Sequence, residues 1–195
     1  MLIGLSRDRD AYSEMLTYIE EQYQNYKMDF VLNPQNIILC NLLKTKNARF
    51  DTEQQTMRWV KDVNYTTECQ IELFSHEFEK QYLSLHNKDT YWTGEKVLKA
   101  TGTFRVLLAI KDQQVIGYLD ITYGRAENEI YDLYVMKECA DEGYEQALLG
   151  EAIRLNKPNG IMVVVAVDAK ELVYYATLGF EKLEGGNNLY ATYKS

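Results

Sequence analysis

Between Phe104 and Val135 three apolar runs follow one another with only short polar breaks. FRVLLAI (104–110) and VIGYLDITY (115–123) flank the tight break KDQQ (111–114), and EIYDLYV (129–135) follows after a turn at residues 124–128. Runs of this length, rich in β-branched and aromatic residues and separated by turn residues, predict antiparallel strands. The period then changes. Residues 141–155 set Tyr144, Leu148, Ala152 and Leu155 on one helical face, and Pro158 and Gly160 stop the helix. IMVVVAV (161–167) lacks polar alternation and is expected to be a fully buried strand. Residues 171–178 read as a helix, Gly179-Phe180 follow, and a Gly185-Gly186 turn leads to a last strand, NLYATY (188–193). This order predicts an α/β chain built on a mixed sheet.

The N-terminal part is laid out similarly. Residues 10–26 place Tyr12, Met15, Leu16, Ile19, Tyr23 and Tyr26 on one helical face. MDFVL (28–32) reads as a short buried strand that Asn33-Pro34 breaks, and residues 37–46 as a second helix carrying Ile37, Leu42 and Leu43. Phe50 follows, and residues 55–60 alternate as a strand. Residues 61–68 (KDVNYTTE) read as a connection. A strand at 71–74, a helix capped by Ser75 and running to His86, and a helix from Thr90 to Lys99 complete this part, before Thr101-Gly102-Thr103 resets the chain. The spans 12–50 and 144–180 share an order of helix, buried strand, helix, phenylalanine and aromatic strand, and KTKNARF (44–50) echoes YATLGF (175–180). The expected division is a half-copy in residues 1–66 and a complete domain in 67–195. An unfinished sheet in the half-copy leaves an edge that a second chain can pair, so a homodimer is expected.

The 195 residues are 46% hydrophobic, enough for a sizeable core, and carry a net charge of −8. That charge disfavours nucleic acid and anionic membrane as partners and leaves cationic amines open as substrates. No apolar stretch approaches the ~18 residues of a membrane helix, and the apolar run in MLIGLSRDRD is too short for a signal peptide. Cys40, Cys69 and Cys139 are odd in number and dispersed, which fits neither a disulfide framework nor a zinc site, so a reducing, cytoplasmic setting without metal is expected. His76 and His86 are too far apart to ligate together and are expected at the surface. Cys139 has no histidine near it in sequence and is read as incidental. Trp59 and Trp92 are read as filling a core or lining a substrate wall. Neither G-x-x-x-x-G-K-[ST] nor G-x-G-x-x-G occurs, so nucleotide-dependent chemistry is not expected.

Two stretches point further. IYDLYV (130–135) running into MKECADEGYEQALLGEAI (136–153) resembles the V-x-P-x-x-R/Q-x-x-G-x-G/A-x-x-L-L motif of the GNAT superfamily of acetyl-CoA-dependent N-acetyltransferases. VYYATLGF (173–180) is similar to that family's L-Y-x-x-x-G-F. The resemblance covers residues 104–195. It implies a GNAT-like acyl-CoA N-acyltransferase fold, with residues 1–66 as a smaller half-repeat. It also implies transfer of an acetyl group from acetyl-CoA to a primary amine of a small molecule or protein.

The resemblance places the cofactor's pyrophosphate at Ala140, Asp141, Glu142, Gly143, Tyr144 and Glu145. A loop entering a helix offers unpaired N–H groups and the positive end of the helix dipole there. This copy departs from the motif. Ala140 replaces Arg/Gln, Glu145 replaces a small residue, and Asp141 and Glu142 add carboxylates that repel phosphate. The backbone of Leu133, Tyr134 and Val135 is implied to pair with the pantetheine arm, and Asp168 either contacts that arm or caps the next helix. Tyr175, with Tyr174 as its neighbouring fallback, is implied to protonate the departing thiolate; its alternative is packing. Glu129 is implied as general base. Asp132 is the alternative, expected on the opposite face of the strand. Plainer readings are a turn residue for Glu129 and an edge hydrogen bond for Asp132. The helices at 75–86 and 90–99, with Tyr91 and Trp92, are the expected walls of the amine groove. The competing expectation is a catalytically inactive GNAT-like binding module, motivated by the acids at 141, 142 and 145.

Overall fold

The computed structural model describes residues 6–60, 68–100, 102–168 and 170–194. Residues 61–67 of the expected connection at 61–68, and Thr101 of the expected reset at 101–103, lie outside them. In chain order the elements are α1 (Arg9–Gln22), β1 (Lys27–Leu32), α2 (Ile37–Thr45), β2 (Arg49–Phe50), β3 (Gln54–Trp59), β4 (Gln70–Leu73), α3 (Glu79–Leu85), α4 (Gly94–Lys99), β5 (Phe104–Lys111), β6 (Gln114–Thr122), β7 (Glu127–Val135), α5 (Tyr144–Asn156), β8 (Gly160–Ala166), α6 (Lys170–Thr177) and β9 (Phe180–Lys194). Short 3-10 turns at His76–Phe78 and Lys137–Glu142 lead into α3 and α5. The chain divides into two compact units, Met1–Thr56 with Val165–Leu172 and Lys182–Ser195, and Met57–Val164 with Val173–Glu181.

In the first unit β1 and β2 both pair antiparallel with β9. Its core is built from Tyr12, Leu16, Leu32, Leu39, Cys40, Leu42, Leu43, Ala191 and Tyr193. Asn36 caps α2 by accepting from the Leu39 amide. Helix α1 stops at Gln22, so Tyr23 and Tyr26, expected on its buried face, are exposed. Strand β1 is not the buried strand expected. Lys27, Asp29 and Val31 face outward and only Leu32 is fully buried, as suits an antiparallel strand with one packed face. The last strand begins at Phe180 rather than 188, and the expected Gly185-Gly186 turn lies within it, with Gly185 in the left-handed region (φ 70°).

The second unit carries a mixed sheet. Strands β4, β5, β6 and β7 are antiparallel neighbours, and β8 joins β7 in parallel. Strand β6 is buried along nearly its whole length, so both its faces are covered. Helix α3 covers one face through Tyr82, in a core with Val97, Val106, Leu108, Ile110, Val115 and Tyr118. Helix α5 lies on the other face, where Arg105 reaches the Leu155 carbonyl. Strand β8 was expected to be fully buried; Ile161, Val163 and Val165 are, while Met162, Val164 and Ala166 are half-buried. Ser75 precedes a 3-10 turn rather than capping a helix, because its hydroxyl bonds the Glu77 carboxylate instead of a backbone amide. Helix α4 starts at Gly94 rather than Thr90. Among the described residues no helix is long and apolar enough to cross a membrane.

Candidate active site

Strand β7 is where chemistry-bearing residues converge. Its parallel ladder with β8 runs from Glu127↔Gly160 to Ile130↔Val163, and residues 131–135 continue beyond it. On the other side β7 stays paired with β6 as far as Val135↔Gly117. The backbone of residues 131–135 therefore presents one edge to the place where the two parallel strands part.

The departure coincides with a β-bulge. Asp120 pairs with Asp132 and Ile121 with Ile130, which leaves Tyr131 as the extra residue. The bulge corrects one expectation. Counting by twos along the strand puts Glu129 and Asp132 on opposite faces. The extra residue reverses that parity and brings both to the face of Asp120 and Thr122. Burial raises the Glu129 carboxyl above its ordinary value, while a hydrogen bond from Tyr131 and the charge of Arg125 pull it back. Tyr131 packs edge-on against Phe104 (5.3 Å between centroids) and Trp92 (6.2 Å), so Trp92 does line this face. Tyr91 stands exposed, with the Lys96 ammonium over its ring.

Beyond β7 the chain makes the 3-10 turn that holds Ala140, Asp141 and Glu142, and helix α5 begins only at Tyr144, three residues later than expected. Gly143 between them is left-handed (φ 85°), and a Cβ there would meet nothing within 4 Å. The amides of the first turn of α5 open onto this glycine, with no side-chain cap. The acids beside them are largely engaged. Glu142 takes both its oxygens to the Lys111 ammonium, at 2.7 and 2.6 Å, and Glu145 accepts a hydrogen bond from the Tyr174 hydroxyl. Asp141 is exposed. Tyr175 is buried between Tyr174 and Phe180, with ring centroids at 5.5 and 5.3 Å. Asp168 is exposed and belongs to the first unit.

Behind Asp132 lies a group that the spacing of residues does not reveal. His86, expected at the surface, is buried, and its Nε2 lies 2.8 Å from the Asp120 carboxylate. Tyr82 donates to both oxygens of Asp120, and the Tyr118 hydroxyl donates to Asp132 at 2.8 Å. The one signal in the sequence is Asp120 itself. A carboxylate inside the apolar run VIGYLDITY needs a buried partner.

Residues 65–191 match the family model described as acetyltransferase (GNAT) domain. The chain belongs to the GNAT acetyltransferases. Solved structures agree on the fold. A GCN5-related N-acetyltransferase from Sphaerobacter thermophilus superposes with a TM-score of 0.68 at 10% identity, over 96% of this chain and 69% of that one. A functionally unknown conserved protein from Staphylococcus epidermidis gives 0.67 at 12% identity, over 96% and 79%. A GCN5-related N-acetyltransferase from Kribbella flavida gives 0.61 at 10% identity, over 97% and 77%. No curated protein matches the chain. This GNAT protein is thus an acetyltransferase by family, on the α/β fold with a mixed sheet that its sequence predicts.

Proposed function

We propose that the protein transfers an acetyl group from acetyl-CoA to a primary amine of a small molecule or protein. The observation that supports this best is the parting of β7 from β8 after Ile130, directly beside Glu129 and Asp132. The residues present fit the acyl donor. The free edge at Leu133, Tyr134 and Val135 suits the pantetheine amides. The open glycine at 143 and the amides starting α5 suit the pyrophosphate. Lys111 and Tyr174 hold Glu142 and Glu145, so two of the three acids that set this loop apart from the family pattern do not stand unpaired.

When bound, acetyl-CoA supplies the acetyl group as a thioester. Glu129 then accepts the amine proton, for which a carboxyl raised by burial is suited near neutral pH. Asp132, on the same face, is the second carboxylate available to the amine. Tyr175 would donate a proton to the leaving sulfur, being an uncharged donor beforehand, and its phenolate would regain a proton from solvent as Glu129 releases the one taken from the amine. The chain's main contribution is to hold amine and thioester in line.

Calorimetry with acetyl-CoA tests the reading, followed by thiol release in the presence of n-butylamine, L-lysine and a peptide with a free N-terminus. Binding heat and amine-dependent thiol release are expected. No heat at millimolar acetyl-CoA sinks the proposal and favours the inactive binding module.

A further inference from the structure

Asp120 and Asp132 are register partners, so both carboxylates sit on one face of the sheet. Like charges directly opposite each other destabilise a sheet. Asp120 is moreover wholly buried, where a lone carboxylate is strongly disfavoured. The neighbouring groups resolve the conflict. His86 Nδ1 lies 2.9 Å from the Asn87 carbonyl, which can only accept, so Nδ1 carries a hydrogen. Nε2 faces the Asp120 carboxylate at 2.8 Å, and that contact also requires a hydrogen between them. With both nitrogens so engaged, the His86–Asp120 pair holds one proton beyond a neutral imidazole and a carboxylate. The charge that this proton carries lies beside Asp132.

The connection to Asp132 runs through Tyr118. Its ring stacks on the imidazole, with centroids 4.9 Å apart and planes at 14°. Its hydroxyl accepts from the Asn87 amide at 3.4 Å and donates to Asp132 at 2.8 Å, so the direction of the hydrogen is set. Tyr82 meets the imidazole edge-on at 5.3 Å and donates to Asp120. The charged or titratable groups around His86 are thus Tyr82 on α3, Glu95 on α4, Tyr118 and Asp120 on β6, and Asp132 on β7. Asp132 itself is only half-buried and lies next to the bulge where β7 leaves β8.

We infer that Asp132 is the seat for the cationic form of the acceptor amine, and that Tyr118 and the His86–Asp120 pair are positioning residues that aim it. This rests on the acetyltransferase reading above. It divides the two site carboxylates by role: Asp132 binds the ammonium, and Glu129 takes the proton.

Steady-state kinetics on the intact chain test the inference, using whichever amine of the panel wild type turns over fastest. Y118F and H86Q are each expected to raise the amine KM about tenfold and to leave acetyl-CoA affinity by calorimetry unchanged. D132N should raise the amine KM at least as much, and Y118F added to D132N should raise it no further. A purely structural role for Tyr118 predicts additive losses instead, seen also in acetyl-CoA binding, and overturns the inference. An unchanged amine KM in both Y118F and H86Q, or a rise in amine KM from E129Q alone, overturns it too. If wild type itself gives no heat with acetyl-CoA, the function falls and this inference with it. Heat and turnover with unmoved amine KM values defeat the inference only.

Discussion

Asp120 and Asp132 face each other across β6 and β7, and each accepts its hydrogen bond from a different tyrosine, Tyr82 and Tyr118. His86 sits against both tyrosine rings and bonds Asp120. Burial pushes the imidazole toward its neutral form. The hydrogen bonds to Asp120 and the Asn87 carbonyl, with the charges of Asp120 and Asp132, outweigh burial and hold His86 above its ordinary value. The sign for stability follows. The unfolded chain loses this proton near pH ~6.5, while the folded chain keeps it to higher pH. The extra stability is full below that point and is lost as pH rises through the raised value. Urea denaturation of wild type should show stability falling as pH rises above ~6.5. H86Q should flatten that slope. A slope unchanged in H86Q would assign the effect to other groups.

Gly94 begins α4 directly against His86. A Cβ there would come within 2.9 Å of Leu83 Cδ2 and 3.1 Å of His86 Cγ. The leucine end can rotate away, but His86 is fixed by Asp120, the Asn87 carbonyl and the Tyr118 ring. Gly94→Ala should therefore destabilise the protein by about 1–2 kcal/mol, overpacking outweighing the better helix propensity of alanine. A stabilised variant in the same urea series would show that α3 and α4 are free to separate.

How far this site could be read from sequence depended on whether the deciding contact was local. The β5–β6 hairpin and the run from β7 through α5 to α6 follow from periodicity and turn residues, and the structure keeps them within a few residues. The bulge at Tyr131 leaves only a faint trace: the two acids of EIYDLYV stand three residues apart, which breaks period-two alternation without saying where the extra residue lies. The face of Asp132 was misread as a result. His86 was misread for a different reason. Its partner Asp120 is 34 residues away, and only pairing of β6 under α3 brings them together. The acids at 141 and 142 resemble the first turn of a helix, yet Gly143 in the left-handed region ends the 3-10 turn and delays α5 to Tyr144.

Glu129 is held above the ordinary glutamate range chiefly by burial. A base works only when ionised, so activity is lost as pH falls through the raised value. The acid limb of kcat/KM should lie above the pH of an ordinary glutamate, and E129Q should remove the limb while lowering kcat on the order of a hundredfold. A pH–rate profile of both proteins decides the matter. An E129Q enzyme with near wild-type kcat would move the base elsewhere.

Lys111 lies outside the motif but beside the loop proposed for the acyl donor. It holds Glu142 at the turn before α5, and both side chains remain partly exposed. K111A releases that carboxylate beside the amides proposed for pyrophosphate. The dissociation constant for coenzyme A should rise on the order of fivefold at low salt and less at high salt, since partly exposed charges are screened. Calorimetry at two ionic strengths separates this from a loss of fold, which salt would not repair. E142Q should restore binding to K111A.

Two glycines frame the same proposed cofactor path and should fail for different reasons. At Gly117 on β6 a Cβ would lie 2.6 Å from the Tyr134 carbonyl oxygen and 2.9 Å from Val135 Cγ2, so β6 and β7 must part to admit it. Gly117→Ala should cost about 1–3 kcal/mol in stability by overpacking and disturb the backbone of Leu133–Val135 that is proposed for pantetheine. At Gly143 the space is open, and the difficulty is the left-handed backbone alone (φ 85°). Gly143→Ala should cost about 1–2 kcal/mol, and Gly143→Asn less, because asparagine tolerates that region. Thermal denaturation of the three variants, with and without coenzyme A, distinguishes the causes. Asparagine should recover most of the loss at 143. Equal losses for alanine and asparagine there would mean that a side chain, not the backbone angle, is what the turn before α5 cannot accept.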